Sequence, residues 1–220
     1  MSITSDSFFP FSPPAIFASH RTAAAFSLGS TGMASIRPNQ PALQRRRSAI
    51  PASRWAAIRL FAMDVDGVLT DGSVYVSAEG AEAKRFSVLD GLGLARLRDA
   101  GVTLAWISGR NSGATTRRAT ELRIPHLIQG RTDKLAALTE LAAPLGVGPE
   151  SICYMGDDEI DAPALAWAGI GVAPPGAMPE ALRAADLVTT RTAGAGAVRE
   201  VCDLIYRNRA TATEQRPGRQ

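Results

Sequence analysis

From Ile58 onward, short apolar runs alternate with stretches of helical period. Ile58 to Met63 reads as a buried strand that stops at Asp64. Ser73 to Val76 and Lys84 to Val88 read as two short strands joined through Ala78-Glu79-Gly80, a hairpin. Leu92 to Ala100 is a predicted helix with Leu94 and Leu97 inward, ended by Gly101. Val102 to Ile107 is a second buried strand, followed by a helix over Ser112 to Leu122 and a strand at His126 to Ile128. Residues 133–145 carry Leu135, Leu138 and Leu141 on one side of a helix. Ile152 to Met155, Ile170 to Val172 and Leu187 to Val188 complete the strands. Strand alternating with helix predicts an α/β fold: a single Rossmann-like parallel sheet with helices on both faces, and a β-hairpin after the first strand.

Residues 1–54 lack this patterning. They are rich in Ser, Pro, Ala and Arg, and read as a disordered extension, an organellar transit peptide, or the product of an early start with Met33 the true one. The folded domain is expected over 55–208, with a flexible tail over 209–220. Charge divides the same way. Residues 1–63 carry seven arginines, no lysine and one acid, Asp6, a net charge of +6 against +3 for the whole chain, so residues 64–220 are net −3. The basic character belongs to the leader, which argues against a nucleic-acid partner for the folded part. No apolar run reaches the ~18 residues that suggest a membrane span. Two cysteines, Cys153 and Cys202, provide no disulfide framework and no zinc-ligand spacing. A cytoplasmic location is expected, or an organellar one if the leader is a transit peptide.

Candidate chemistry lies at the strand ends, where open parallel sheets bind ligands. The first strand delivers Asp64-Val65-Asp66-Gly67-Val68-Leu69-Thr70, the second Ser108-Gly109-Arg110, and the 152–155 strand Gly156-Asp157-Asp158-Glu159-Ile160-Asp161. Lys134 starts a helix between the last two. If these loops converge, Asp64, Asp66, Asp157, Asp158 and Asp161 crowd one pocket. Two unit charges ~4 Å apart cost roughly 4 kcal/mol at an effective dielectric of 20, so the cluster calls for a cation. Oxygen ligands with room for water suit Mg²⁺ better than zinc. Phosphoryl transfer needs these parts: a carboxylate nucleophile, positive charge on the phosphoryl oxygens, and a second carboxyl group for proton transfer. Asp66, one residue beyond Asp64's neighbour in the same turn, is the natural acid/base.

This set resembles the haloacid dehalogenase superfamily of phosphohydrolases, with its four motifs at Asp64 to Thr70, Ser108, Lys134 and Gly156 to Asp161. The resemblance implies Asp64 as nucleophile and Asp66 as acid/base. It implies magnesium on the Asp64 carboxylate, the Asp66 carbonyl and Asp157, and phosphate on Ser108 and Lys134. Asp158 and Asp161 would support the metal ligands from behind. From Ile58 to Tyr206 the chain is similar to the cap-less branch that includes 3-deoxy-D-manno-octulosonate 8-phosphate phosphatase, through Asp71-Gly72, Lys84-Arg85-Phe86, Asp90-Gly91-Leu92-Gly93-Leu94, Asp133-Lys134 and Gly196 to Glu200. The short gap from Thr70 to Ser108 leaves no room for a large cap domain. That branch implies a homotetramer acting on a small phosphate ester, with Thr70, Asp90, Gly91, Gly109, Arg110 and Arg118 near the phosphate or the sugar acid. Leu89 stands where the branch usually has a basic residue, and the loop from Ala193 to Glu200 is one residue shorter. Another sugar phosphate, such as an acylneuraminate 9-phosphate, or a non-catalytic tetramerisation module are therefore the alternatives.

Overall fold

The computed structural model describes residues 49–214. Most of the leader and the last six residues lie outside that range, as do the expectations that concern them. Eight strands and seven α-helices follow in order: α1 (Ala52–Ala56), β1 (Leu60–Met63), β2 (Tyr75–Val76), β3 (Glu82–Ala83), α2 (Val88–Asp99), β4 (Thr103–Ile107), α3 (Gly113–Glu121), β5 (His126–Ile128), α4 (Lys134–Leu145), β6 (Ile152–Met155), α5 (Ala162–Trp167), β7 (Ile170–Ala173), α6 (Pro179–Ala184), β8 (Leu187–Val188) and α7 (Ala197–Glu214). Six strands form one parallel sheet in the order β5-β4-β1-β6-β7-β8, and β2 and β3 form a separate antiparallel hairpin.

Both faces of the sheet are covered, so β1, β6 and β7 are buried at every position. Phe61, Met63, Leu104, Trp106, Cys153 and Met155 point to one face, against Leu94 and Leu97 of α2 and Val198, Val201 and Ile205 of α7. Leu60, Ala62, Ala105, Ile107, Ile152 and Tyr154 point to the other, against Ala137 and Leu138 of α4 and Leu165 of α5. This two-residue alternation, sandwiched between helices, is the doubly covered sheet that the sequence pattern predicts.

The differences are local. The second hairpin strand is Glu82–Ala83, not Lys84 to Val88, because Ser87 caps α2: its hydroxyl accepts from Leu89 N and Asp90 N, and the helix starts a turn earlier than expected. Phe86 still anchors the hairpin's return, its ring stacked on Trp106 with centroids 6.2 Å apart. α1, α5, α6 and α7 have no counterpart among the expected elements. α1 begins inside the stretch read as extension, and α7 runs into the stretch read as tail. The spacing of Ala197, Val198, Val201, Cys202 and Ile205 is helical, so α7 was readable from burial periodicity. α2 and α7 approach closely at Gly93, where a Cβ would come within 2.8 Å of Arg199 Cδ and 3.0 Å of Cys202 Cβ. Among the described residues no helix is long and apolar enough to cross a membrane.

Candidate active site

The sheet topology fixes where a site can form. From β1 the chain moves outward through β4 to β5, then crosses back to β6 on the other flank of β1. The strand order reverses there, and the crevice past the strand ends at such a reversal is where ligands bind in these sheets. Met63 is in register with Trp106 of β4 and Met155 of β6. Asp64, Ser108 and Asp157 therefore emerge at one end of three adjacent strands.

Asp64 is buried. Its Oδ1 accepts from Val65 N at 2.6 Å and from Lys134 Nζ at 2.8 Å. Lys134 is fully buried at the first position of α4, and its ammonium also donates to Ile107 O at 2.6 Å. Asp161 is built in by three donors: Tyr154 OH at 2.7 Å to Oδ1, and Asp157 N and Asp158 N at 3.1 Å each to Oδ2. Asp161 Oδ1 lies 3.9 Å from Lys134 Nζ. Carboxylate oxygens of Asp64, Asp157 and Asp161 lie within 4.8 Å of one another. Gly67 lets two of these loops meet: at φ +84° a Cβ would sit 2.0 Å from Asp157 Oδ2.

Three acids thus share one ammonium. Burial and the charge of Asp161 push the Asp64 carboxyl up to about 6, against the pull of Lys134. Burial, then Asp161, Asp64 and Asp158, push Asp157 up to about 8. Asp157 Oδ1 is buried with no hydrogen-bond partner. An unpartnered carboxylate oxygen facing two further acids is what a hard divalent cation satisfies. Asp161 has both oxygens engaged by protein donors, so Asp64 and Asp157 are the carboxylates with capacity left for an ion.

The remaining candidates sort themselves by their partners. The Asp66 carboxylate is not part of this cluster. It pairs with Lys84, whose fully buried Nζ lies 2.7 Å from Oδ1 and donates to Oδ2 at 2.9 Å and to Thr115 Oγ1 at 3.3 Å. Glu82 Oε1 is 3.7 Å from the same ammonium and accepts from Ser112 Oγ, while Arg110 reaches Glu82 Oε2 at 3.0 Å and Asp66 Oδ2 at 3.9 Å. Ser108 is buried beside Asp64's strand, its Oγ accepting from Arg110 N at 3.2 Å, and Gly109 continues that turn over Thr132. Asp158 is exposed and accepts from Glu159 N at 2.6 Å, capping the short helical turn that carries Asp161.

Four residues expected near the substrate, Asp90, Gly91, Arg118 and Thr70, find partners within the fold. Asp90 spends its carboxylate on the start of α7, accepting from Gly196 N at 3.2 Å and Arg199 N at 2.7 Å. Gly91 packs under the Arg118 guanidinium, which itself pairs with Glu121 at 2.8 Å and donates to Ser87 O. Thr70 Oγ1 accepts from Gly67 N and Gly72 N at 3.3 and 3.2 Å, closing the first loop. The sequence assigns no chemical role to Tyr154, Glu82, Ser112 and Thr115, and Lys84 enters it only as the start of a strand and in the family resemblance. Burial of a polar residue inside a strand, as at Tyr154, is a signal that exists in sequence. The hairpin residues have none, because their partners are far away along the chain.

Comparison with known proteins agrees with this geometry. Residues 103–201 match the haloacid dehalogenase-like hydrolase family model. The chain is 47% identical over 152 residues to the 3-deoxy-D-manno-octulosonate 8-phosphate phosphatase of Yersinia pestis, covering 69% of this chain and 81% of that one. It is 43% identical over 148 residues to the enzyme of the same name from Escherichia coli K12, covering 67% and 79%. The crystal structure of the Moraxella catarrhalis phosphatase of that name, in complex with magnesium, phosphate and KDO, superposes with a TM-score of 0.71 at 44% identity, covering 74% of this chain and 94% of that one. The chain belongs to the 3-deoxy-D-manno-octulosonate 8-phosphate phosphatase family of haloacid dehalogenase-like hydrolases.

Proposed function

We infer that this protein is a magnesium-dependent phosphatase that hydrolyses 3-deoxy-D-manno-octulosonate 8-phosphate. One observation carries the reading: Asp64, Asp157 and Asp161 converge on a single ammonium, Lys134, and leave an unpartnered buried oxygen on Asp157. Magnesium, held by the carboxylates of Asp64 and Asp157 and the main-chain carbonyl of Asp66, would neutralise the surplus negative charge and withdraw charge from the phosphoryl oxygens.

The protein's own groups supply the rest. Asp64 attacks phosphorus and the bond to the sugar oxygen breaks, leaving the phosphoryl group on the Asp64 carboxylate. Lys134 orients Asp64 and balances the charge that gathers on the phosphoryl oxygens, and the Ser108 hydroxyl holds one of them. Asp66, after taking up a proton from solvent, gives it to the departing sugar oxygen, then takes one from the water that releases phosphate. Its carboxylate is held by Lys84, so this proton transfer needs the Asp66 side chain to turn from that partner towards the leaving oxygen.

Two further assignments belong to this reading. Tyr75 and Val76 of the hairpin and Val88, Leu89 and Leu92 at the head of α2 are large apolar side chains left exposed. They supply a surface for a second copy and support a homotetramer, to be checked by sedimentation equilibrium. Two free, buried thiols, Cys153 and Cys202, suit the reducing cytoplasm. The test of the function is phosphate release from 3-deoxy-D-manno-octulosonate 8-phosphate. We expect turnover that needs Mg²⁺ and falls at least ~10³-fold in Asp64→Asn with the fold unchanged by circular dichroism. Full activity in that variant would remove Asp64 as the nucleophile.

A further inference from the structure

One cavity of 380 Å³ opens from the acid cluster, with Gly67 and Asp157 at its inner end and Asp71, Arg85, Pro174 and Thr192 among the walls. A phosphate ester that places phosphorus at Asp64 has room for its sugar in this space. The charges on the walls then matter. Asp71 and Asp157 are acids, and Arg85 is the one cation among the lining residues. A sugar acid carries a carboxylate in addition to its phosphate, and with Asp157 turned to the metal, Asp71 is the wall acid that would repel it.

Arg85 is built to reverse that. Its side chain is 56% exposed and uses Nη2 on Asp71 Oδ2 at 3.2 Å. Asp71 is itself fixed by Ser73 N at 3.0 Å, so it anchors the guanidinium against the wall of the cavity. The rest of the planar fork is available for a two-point grip on a carboxylate, a geometry that an ammonium cannot copy. Two other arginines near the site are committed elsewhere: Arg110 to Glu82 and Arg118 to Glu121 and Ser87 O. We propose that Arg85 is a specificity-determining residue that grips the carboxylate of the sugar acid at the mouth of the cavity, with Asp71 as its positioning partner. This rests on the phosphatase reading above.

The test compares wild type, Arg85→Met, Arg85→Lys and the double variant Asp71→Asn/Arg85→Met on three substrates with Mg²⁺. These are 3-deoxy-D-manno-octulosonate 8-phosphate, a pentose 5-phosphate with no carboxylate, and p-nitrophenyl phosphate. Arg85→Met is expected to raise KM for the sugar acid about 10- to 100-fold with kcat within a few-fold, and to lower its kcat/KM relative to the other two substrates by the same factor. Arg85→Lys should recover part of the loss, and the double variant should keep it. Three results would overturn the proposal. They are equal losses on all three substrates, no change in KM, or a double variant restored to the wild-type KM, which would mean Arg85 merely screens Asp71. The underlying reading fails differently: wild type would then release phosphate from none of the three, which sinks both.

Discussion

Two charged regions face each other across the mouth of the sheet, and they are balanced differently. The inner one gathers Asp64, Asp157 and Asp161 around Lys134, three carboxylates on one ammonium. The outer one, between the first loop, the hairpin and the loop after β4, sets Asp66 and Glu82 against Lys84 and Arg110, two on two. The outer region is neutral by itself, and no pressure for an ion follows from it. The inner region is short of positive charge by about the charge of one divalent cation, and burial together with the neighbouring acids raises the affinity of Asp64 and Asp157 for protons. Density of acids alone would not have separated the two. The count of cations beside them does.

The largest effect is expected where that count is changed in the inner region. Lys134→Met removes its ammonium and leaves Asp64 beside Asp161 with no counter-charge. We expect kcat to fall by at least ~10²-fold, since the nucleophile and the phosphoryl oxygens both lose a partner. Removing one member of a buried pair costs about 3–5 kcal/mol, and the cost should shrink below pH 6, where Asp64 can take a proton instead. Urea unfolding at pH 8 and pH 5 measures this. The same variant in the outer region, Lys84→Met, should depend less on pH, because Glu82 and Asp66 still have Arg110.

How much of this was legible in the sequence follows from the same division. Asp64, Ser108, Lys134 and Asp157 each stand within two residues of a strand end or at a helix start, so the hydrophobic pattern that predicted the sheet also predicted their convergence. Asp66 has the same address, yet its carboxylate turns to Lys84, eighteen positions away in a hairpin whose second strand was itself misplaced. Asp90 shows the opposite case. An acid inside a conspicuous Asp-Gly pair attracted a substrate role, while its actual partners, the amides of Gly196 and Arg199, lie at the start of a helix that was not expected. Local pattern carries what each element presents at its ends. It does not carry which distant backbone amides or ammonium groups a loop acid finds after packing.

A smaller effect on the same charge count comes from geometry. Gly67→Ala places a Cβ 2.0 Å from Asp157 Oδ2 at a φ of +84°. The strained backbone costs about 1–2 kcal/mol, and the displaced carboxylate should weaken Mg²⁺ at least ~10-fold by titration calorimetry. An unaltered affinity would show that Asp157 is not a ligand.

The inner region should also show itself without mutation. Asp64 and Asp157 bind protons more tightly in the fold than their usual value of 3.8. Their protonated forms therefore stabilise the metal-free protein. That contribution is complete below about pH 4 and is lost as pH rises through about 6 for Asp64 and about 8 for Asp157. Protein stripped with EDTA is expected to melt several degrees lower at pH 9 than at pH 6, and Mg²⁺ should close most of that gap. Calorimetry at the two pH values with and without the ion decides it. A gap that Mg²⁺ does not narrow would place the titrating groups somewhere else.

The smallest effect is expected at the rim. Arg110 meets Glu82 Oε2 at 3.0 Å and Asp66 Oδ2 at 3.9 Å, but its side chain is 53% exposed. Exposed pairs of this kind are worth about 0–1 kcal/mol, because water screens the attraction and ordering the side chain costs entropy. Arg110→Ala should lower the Tm by no more than ~4 °C, with the difference shrinking further in about 1 M salt. The variant leaves Lys84 to hold both acids, so the outer region goes from neutral to one negative charge in excess. If the loss instead exceeds about 2 kcal/mol and survives high salt, then Asp66, Glu82, Lys84 and Arg110 act as one coupled unit, and the outer region needs its fourth charge as much as the inner one needs its metal.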